Sequence, residues 1–137
     1  MILVDTSPLV ALFDPRDWQH DRCVKALKRI REPVSTTVPV LTEAFHMLRP
    51  ESRGSDGLRE FVEKGGLSIW LFDRQSLTRA FELMESHADH SMDLADASLV
   101  AAAESLGTRR VFTVDRKDFE TYRVRRGHRS YPIEIVS

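Results

Sequence analysis

Short apolar runs alternate along the chain with longer stretches whose apolar residues recur every three or four positions. The short runs are rich in Val, Ile and Leu and are bounded by turn residues, which is typical of buried β-strands. Because Pro132 begins the last run, we expect that strand at an edge of the sheet. The five predicted strands cover residues 2–4, 34–36, 67–71, 111–114 and 132–136.

The longer stretches predict amphipathic or buried helices. The stretch over residues 94–106 is rich in Ala and Leu and is followed by Gly107, a residue type that commonly ends helices. It is apolar nearly all round, so we expect it in the middle of the fold. Strands that alternate with helices favour an α/β fold with a mostly parallel sheet. The predicted helices cover residues 17–31, 39–48, 58–64, 74–87 and 94–106, with one more beginning at Thr6-Ser7-Pro8.

Composition points to one globular domain over residues 1–137, with 42% hydrophobic and 30% charged residues. No apolar run is long enough to cross a membrane, and the first residues lack the basic start of a signal peptide. The only cysteine, Cys23, has no internal partner for a disulfide. We therefore expect a cytoplasmic protein that does not associate with membranes.

The formal net charge of −1 hides an uneven distribution. Residues 109–137 carry eight Lys and Arg and four Asp and Glu, whereas residues 1–108 carry twelve and seventeen. Two solvated faces of opposite sign would explain this pattern without any partner. A basic rim that holds an anion beside an acidic site would explain it as well.

Two predicted strands end in an aspartate. Ile2-Leu3-Val4 is followed by Asp5, and Phe112-Thr113-Val114 is followed by Asp115. Ligands of open parallel sheets bind beyond the carboxyl ends of the strands. If both strands are central and parallel, the two carboxylates emerge at the same end of the sheet.

Three more acids lie in or beside predicted helices. Glu43 interrupts an otherwise apolar helix, Asp96 interrupts the Ala-rich helix, and Asp93 lies one turn before Asp96 on the same face. Each acid alone has a structural explanation: Asp5 and Asp93 as helix caps, Asp115 as the start of a turn, and Glu43 as the partner of an arginine. The set is harder to explain in this way, because four of its members interrupt apolar segments.

Clustered carboxylates imply a cation. Two carboxylates about 5 Å apart repel by on the order of 3 kcal/mol at an effective dielectric constant near 20. Such a cluster persists only if some acids stay protonated or a cation joins them. Oxygen ligands without His or Cys favour hard ions, Mg²⁺ or Mn²⁺. These ions activate water and stabilise a leaving oxygen, which suits hydrolysis of phosphodiester bonds.

Four segments in this order resemble PIN-domain proteins, in particular the VapC-type toxins. They are Val4-Asp5-Thr6-Ser7-Pro8-Leu9, the mid-chain Glu43, Asp93-Leu94-Ala95-Asp96-Ala97 and Thr113-Val114-Asp115-Arg116-Lys117-Asp118-Phe119. The resemblance spans the whole chain with family-like spacing. No single segment is specific, and the evidence lies in the ordered set.

The resemblance implies a three-layer α/β/α sandwich around a parallel sheet, and a divalent-metal-dependent endoribonuclease that works as a homodimer and is inhibited by a small antitoxin. Asp5, Glu43, Asp96 and Asp115 match the family's four catalytic and metal-binding acids. Asp93 matches a further acid that is present in some members, and we count it among the candidate metal ligands. Thr6 and Thr113 match hydroxyl residues beside the acids, which would orient carboxylates. Transfer, ribosomal and messenger RNA all remain candidate substrates.

Basic residues near the C-terminus are candidates for holding the RNA backbone, because phosphate contacts are usually made by Arg and Lys. Arg125 and Arg126 fit equally well as residues of a solvated turn. The candidates are Arg116, Lys117, Arg123, Arg125, Arg126 and Arg129.

Other phosphate-handling enzymes fit less well. A haloacid-dehalogenase-like phosphohydrolase needs a second Asp at the position of Ser7, and a phospho-receiver domain needs paired acids where the chain has Asp5-Thr6. Glu43-x-x-His46 resembles half of a di-iron site, but the chain has no second copy. His87 and His90 would need two further ligands to bind zinc.

The alternative from a different functional class is a non-catalytic PIN-fold module that binds RNA or protein without cutting it. The complete set of acids argues against this alternative. A protein that only binds would keep its function after Asp5→Asn, whereas a nuclease would lose it.

Overall fold

Five parallel strands form the central sheet, and two further strands form a separate antiparallel hairpin. The structure is a computed structural model that describes residues 1–137. The order in the sheet is β3-β2-β1-β4-β7, so β1 and β4 are neighbouring inner strands. In chain order the strands are β1 (Ile2–Val4), β2 (Val34–Thr37), β3 (Ser68–Trp70), β4 (Arg110–Phe112), β5 (Arg123–Arg126), β6 (Arg129–Pro132) and β7 (Glu134–Val136).

Helices flank this sheet, which confirms the predicted α/β/α sandwich with a parallel central sheet. A single 3₁₀ turn, Ala88–His90, joins the fifth helix to the sixth. The helices are α1 (Thr6–Phe13), α2 (His20–Arg29), α3 (Val38–Leu48), α4 (Arg53–Glu63), α5 (Arg74–Ser86), α6 (Leu94–Leu106) and the short α7 (Arg116–Phe119).

The Ala-rich helix α6 is the central helix, as predicted. Its residues 97–103 are all buried, and it packs against α3, α5 and strands β1 and β2. The small side chains let neighbouring elements approach closely, and no polar face is left over for solvent. Gly107 ends the helix with φ 69°, in the left-handed region that favours glycine.

Two predicted helices begin elsewhere. Helix α2 begins at His20 rather than at residue 17, because the Asp17 carboxylate accepts the Gln19 N–H at 2.8 Å and holds a turn there. Helix α4 begins at Arg53 rather than at residue 58, with Ser52 as its N-cap. Gly54 lies in its first turn, where an added Cβ would be 2.8 Å from the carbonyl oxygen of Phe13. This glycine therefore serves the close approach of α4 to α1.

The hairpin β5–β6 was not predicted, because four of its eight strand residues are arginines and only Val124 is buried. It docks on the end of α6 through polar contacts: the Arg125 N–H donates to Glu104 Oε2 at 2.7 Å. The predicted strand over residues 132–136 was wrong at its start, since Pro132 ends β6 and β7 begins at Glu134. Strand β7 lies at the sheet edge, as expected.

None of the helices is both long enough and apolar enough to span a membrane.

Glu104 ties three elements together on the side of the fold where the hairpin lies. Its carboxylate accepts from Arg79 Nε at 2.8 Å and Arg79 Nη2 at 3.0 Å, in addition to the Arg125 N–H. The Glu104 side chain is only 12% exposed, so these bonds are largely shielded from water. The junction fixes α5, α6 and β5 relative to each other.

We expect Glu104→Ala to lower the free energy of unfolding by about 2–4 kcal/mol, because it removes the hydrogen-bond acceptor of the Arg79 guanidinium and of an N–H in β5. Glu82→Ala is the matched control, since Glu82 contacts the same arginine at 3.4 Å from an exposed position. That control should change stability by less than about 1 kcal/mol. Urea unfolding measures both, and equal effects would contradict the assigned role of Glu104.

Candidate acidic active site

Asp5 is the buried centre of the acid cluster. It follows β1 directly and is 6% exposed. One carboxylate oxygen accepts the Thr6 N–H at 2.8 Å and so caps α1, and the other accepts from the Thr113 hydroxyl at 2.8 Å. The Asp5 side chain is thereby held by the first residue of α1 and by Thr113 after β4. Capping α1 does not prevent it from also taking part in a functional site.

Burial raises the pKa of Asp5 to about 6. The hydrogen bonds from Thr113 and Thr6 lower that pKa in part, and the charges of Asp115 and Glu43 raise it further. These charge effects show that the three acids share one electrostatic environment.

Thr113 joins the two acids that follow β1 and β4. Its fully buried hydroxyl donates to Asp5 and accepts the Asp115 N–H at 3.0 Å. The register of β1 and β4, with Val4 opposite Phe112, brings these residues to the same end of the sheet. The predicted convergence of Asp5 and Asp115 is therefore present.

Glu43 is tied to the cluster through Thr6, whose hydroxyl donates to Glu43 Oε1 at 2.8 Å. The helix that carries Glu43, α3, is capped by Thr37. The Thr37 hydroxyl also contacts the Ser98 hydroxyl of α6 at 2.6 Å, in the buried interior. Glu43 thus contacts a threonine of the site rather than the arginine partner considered above.

Asp96 and Asp93 lie at the start of α6. Asp93 is the N-cap of α6 and accepts the Asp96 N–H at 2.8 Å. This capping role is independent of any role in binding metal. Burial raises the pKa of Asp96 to about 7, and the charges of Asp93 and Asp5 add to this effect. The ionisation of Asp96 is therefore coupled to that of Asp5 by charge repulsion.

Asp115 caps the short helix α7, accepting the Asp118 N–H at 3.4 Å. Burial and the nearby charge of Asp118 raise its pKa. Asp118 is therefore an additional acid near the site that the sequence-based reasoning did not select.

Tyr122 is the other site residue that the sequence did not reveal. It is fully buried and donates its hydroxyl hydrogen to Asp96 Oδ2 at 3.1 Å. Its ring contacts the edges of Phe119 and His87. Burial, followed by the charge of Asp96, raises the pKa of this phenol. A buried tyrosine needs a partner for its hydroxyl, but only the fold shows which one.

The five acids have no cationic side-chain partner: every ion pair in the structure involves other carboxylates. Unpaired carboxylates at partly buried positions repel each other, and a bound cation would relieve that repulsion. No three His, Cys, Asp or Glu side chains converge in a geometry that would hold a metal ion by itself. The fit to Mg²⁺ or Mn²⁺ therefore rests on the donor chemistry and the missing positive charge.

The basic residues divide into two groups. Arg116 and Lys117 directly follow Asp115 in α7. In the hairpin, Arg126 Nη2 donates to the carbonyl of Gly107, at the end of α6 remote from Asp93 and about 20 Å from it along the helix. Of the predicted basic residues, Arg116 and Lys117 therefore lie next to a site acid, whereas Arg126 lies at the far end of α6.

The histidine alternatives can be compared with the contacts of His87. His87 packs against the Tyr122 ring, and its Nδ1 lies 2.9 Å from the carbonyl oxygen of Leu83. The alternatives of a zinc site at His87 and His90 and of a di-iron site at Glu43 and His46 find no support.

The chain belongs to the PIN-domain family, whose family model matches residues 2–124. It is similar to Ribonuclease VapC26 of Mycobacterium tuberculosis, with 24% identity over 126 residues, covering 89% of this chain and 92% of that relative.

Solved structures share the fold. The crystal structure of Mycobacterium tuberculosis VapC20, described as a Sarcin-Ricin loop cleaving toxin, has a TM-score of 0.78 at 20% identity and covers 86% of this chain and 92% of its own. A toxin–antitoxin complex from Klebsiella pneumoniae has a TM-score of 0.69 at 19% identity, with coverages of 88% and 92%. At these levels of sequence identity, the structural similarity establishes the fold of this chain.

The raised pKa values predict how stability depends on pH without metal. The Asp96 carboxyl has a pKa of about 7 in the folded protein, above its ordinary value of 3.8. Its contribution to stability is therefore fully present below about pH 4 and is lost as pH rises from 4 through 7. In EDTA, wild type should therefore lose thermal stability relative to Asp96→Asn between pH 5 and pH 8. The exposed Asp21→Asn is the control, and a wild-type-to-Asp96→Asn gap that stays constant over this range would contradict the prediction.

Proposed function

We propose that this chain is a divalent-metal-dependent endoribonuclease and the toxin of a bacterial toxin–antitoxin pair. The observation that carries the proposal is the hydrogen-bonded set Glu43–Thr6–Asp5–Thr113–Asp115, which lies at the carboxyl ends of β1 and β4 beside Asp96. It occurs in a PIN-domain chain that is similar to a protein named as a ribonuclease and to a structure described as a toxin.

Asp5, Glu43, Asp96 and Asp115 would hold the Mg²⁺ or Mn²⁺, with Asp93 as a further ligand. When bound, the divalent cation supplies a Lewis acid for the phosphodiester and lowers the pKa of the attacking water. The chain's own contribution is to orient the carboxylates: Thr113 donates to one Asp5 oxygen, and the Thr6 hydroxyl donates to one Glu43 oxygen. Both Asp5 oxygens accept a hydrogen bond from the protein, and each carboxylate oxygen keeps a second lone pair for a ligand.

Arg116 and Lys117 are the side chains best placed to hold RNA phosphates, because they follow Asp115 without a break. Arg116 has an exposed glutamate partner, Glu120, at 3.4 Å, a contact weak enough to exchange for a phosphate. RNA held there would present its backbone to the acid cluster.

The proposed partners are a small cognate antitoxin and a second copy of the chain. Large apolar side chains that are exposed in the single chain would be covered in such assemblies: Val38 is 48% exposed and Leu71 is 67% exposed. A toxin–antitoxin complex is among the solved structures with the same fold. An RNA-cutting toxin would act in the cytoplasm, where its substrate lies.

Total RNA incubated with the antitoxin-free protein should be cut at discrete positions in Mg²⁺ or Mn²⁺ and left intact in EDTA. Asp5→Asn and Asp96→Asn should each reduce the rate at least about 100-fold, since each removes a negatively charged ligand while keeping the side-chain shape. The exposed Asp21→Asn should cut like wild type. RNA binding without cleavage in any metal would favour the non-catalytic module.

Thr113→Val should slow cleavage about 10- to 100-fold while the protein stays folded, because it removes the bond that orients Asp5 without changing side-chain size. Thr113→Ser, which keeps the hydroxyl, should recover most of the activity. Thr42→Val is the matched control, since the Thr42 hydroxyl bonds only to the carbonyl of Val38 on the exposed side of α3. Wild-type activity in Thr113→Val would show that this hydroxyl does not position the acids.

A further inference from the structure

An exposed tryptophan lies beside the acid cluster. Trp18, in the loop between α1 and α2, is 88% exposed, far more than is usual for so large an apolar side chain. It lines a cavity of about 410 Å³ to which Asp115 also contributes. The aromatic ring and one of the site acids therefore share a single opening.

The lining of this cavity excludes phosphate and suits a nucleobase. None of its eight lining residues is a lysine or arginine, whereas Asp17 and Asp115 both face it. A phosphate would meet like charge there. A base offers an apolar face to Trp18 and Met47 and amino hydrogens to a carboxylate.

Building on the proposed ribonuclease function, we propose that Trp18 stacks on one base of a single-stranded RNA substrate next to the phosphate at the acid cluster. The Asp17 carboxylate, which accepts the Gln19 N–H through one oxygen at 2.8 Å, accepts an amino hydrogen of that base. Phosphates then contact the α7 side of the site, and the base enters the cavity on the other side of Asp115. Stacking on aromatic side chains is the general means by which proteins hold unpaired bases.

Intrinsic fluorescence tests the stacking directly, because the chain has only two tryptophans, Trp18 and Trp70. In the Asp5→Asn/Trp70→Phe protein, Trp18 is the only reporter and the RNA is not cut. A short single-stranded oligoribonucleotide should quench the emission, whereas a strand of equal length made of abasic ribose phosphates should not. Equal quenching by both strands, or none by either, would overturn the proposal.

Steady-state cleavage provides the second test. Trp18→Ala should raise KM about tenfold or more with little change in kcat, and Trp18→Phe should restore most of the affinity. Phe81→Ala, which removes another exposed aromatic ring on α5, is the matched control and should leave KM unchanged. An unchanged KM in Trp18→Ala, or dissociation of a wild-type dimer by this substitution in sedimentation experiments, would overturn the proposal, the latter because a second copy would then cover this face.

The two proposals fail in different ways. If the wild-type protein cuts no RNA in any metal but base-bearing RNA still quenches Trp18, the nuclease proposal fails and the base contact stands. If the protein cuts RNA and Trp18 does not respond, the nuclease proposal stands and the base contact fails.

Discussion

The burial of the Asp5 carboxylate at the carboxyl end of inner strand β1 is the constraint on which the site depends. A charge in that position is costly unless hydrogen bonds and a cation stabilise it. The fold supplies the bonds from Thr6 and Thr113, and these two threonines extend the contact to Glu43 and Asp115. One buried acid thereby sets the positions of the others.

The acid cluster lowers the stability of the fold, because it holds unpaired carboxyl groups at buried positions. Its acids have no arginine or lysine partner, and burial raises the pKa of Asp5 to about 6 and that of Asp96 to about 7. The apolar centre of the molecule offsets this electrostatic cost. Helix α6 is buried along almost its whole length, and Glu104, near its C-terminal end, binds α6 to α5 and the hairpin. Functional sites commonly carry such locally unfavourable charge on a rigid scaffold.

Sequence patterns predicted the elements that carry apolar side chains and the acids that interrupt them. They failed where polar contacts decide the structure. The hairpin has a single buried apolar residue, Val124, and relies on Glu104, which lies far away in the sequence. Tyr122 enters the site only because the chain after α7 folds back on α6, and no local pattern encodes its bond to Asp96. Trp18 was placed inside the predicted helix over residues 17–31, whereas in the structure it lies in the loop before α2, which begins at His20.

Binding of Mn²⁺ to the antitoxin-free protein, followed by titration calorimetry at pH 6.5 in buffers of different ionisation enthalpy, tests the central claim most directly. If the acid cluster is a cation site, wild type will bind Mn²⁺ saturably and release protons, because Asp96 is partly protonated at that pH. Asp5→Asn will bind far more weakly. No saturable binding by the folded wild type, or equal binding by the variant, would contradict the assignment.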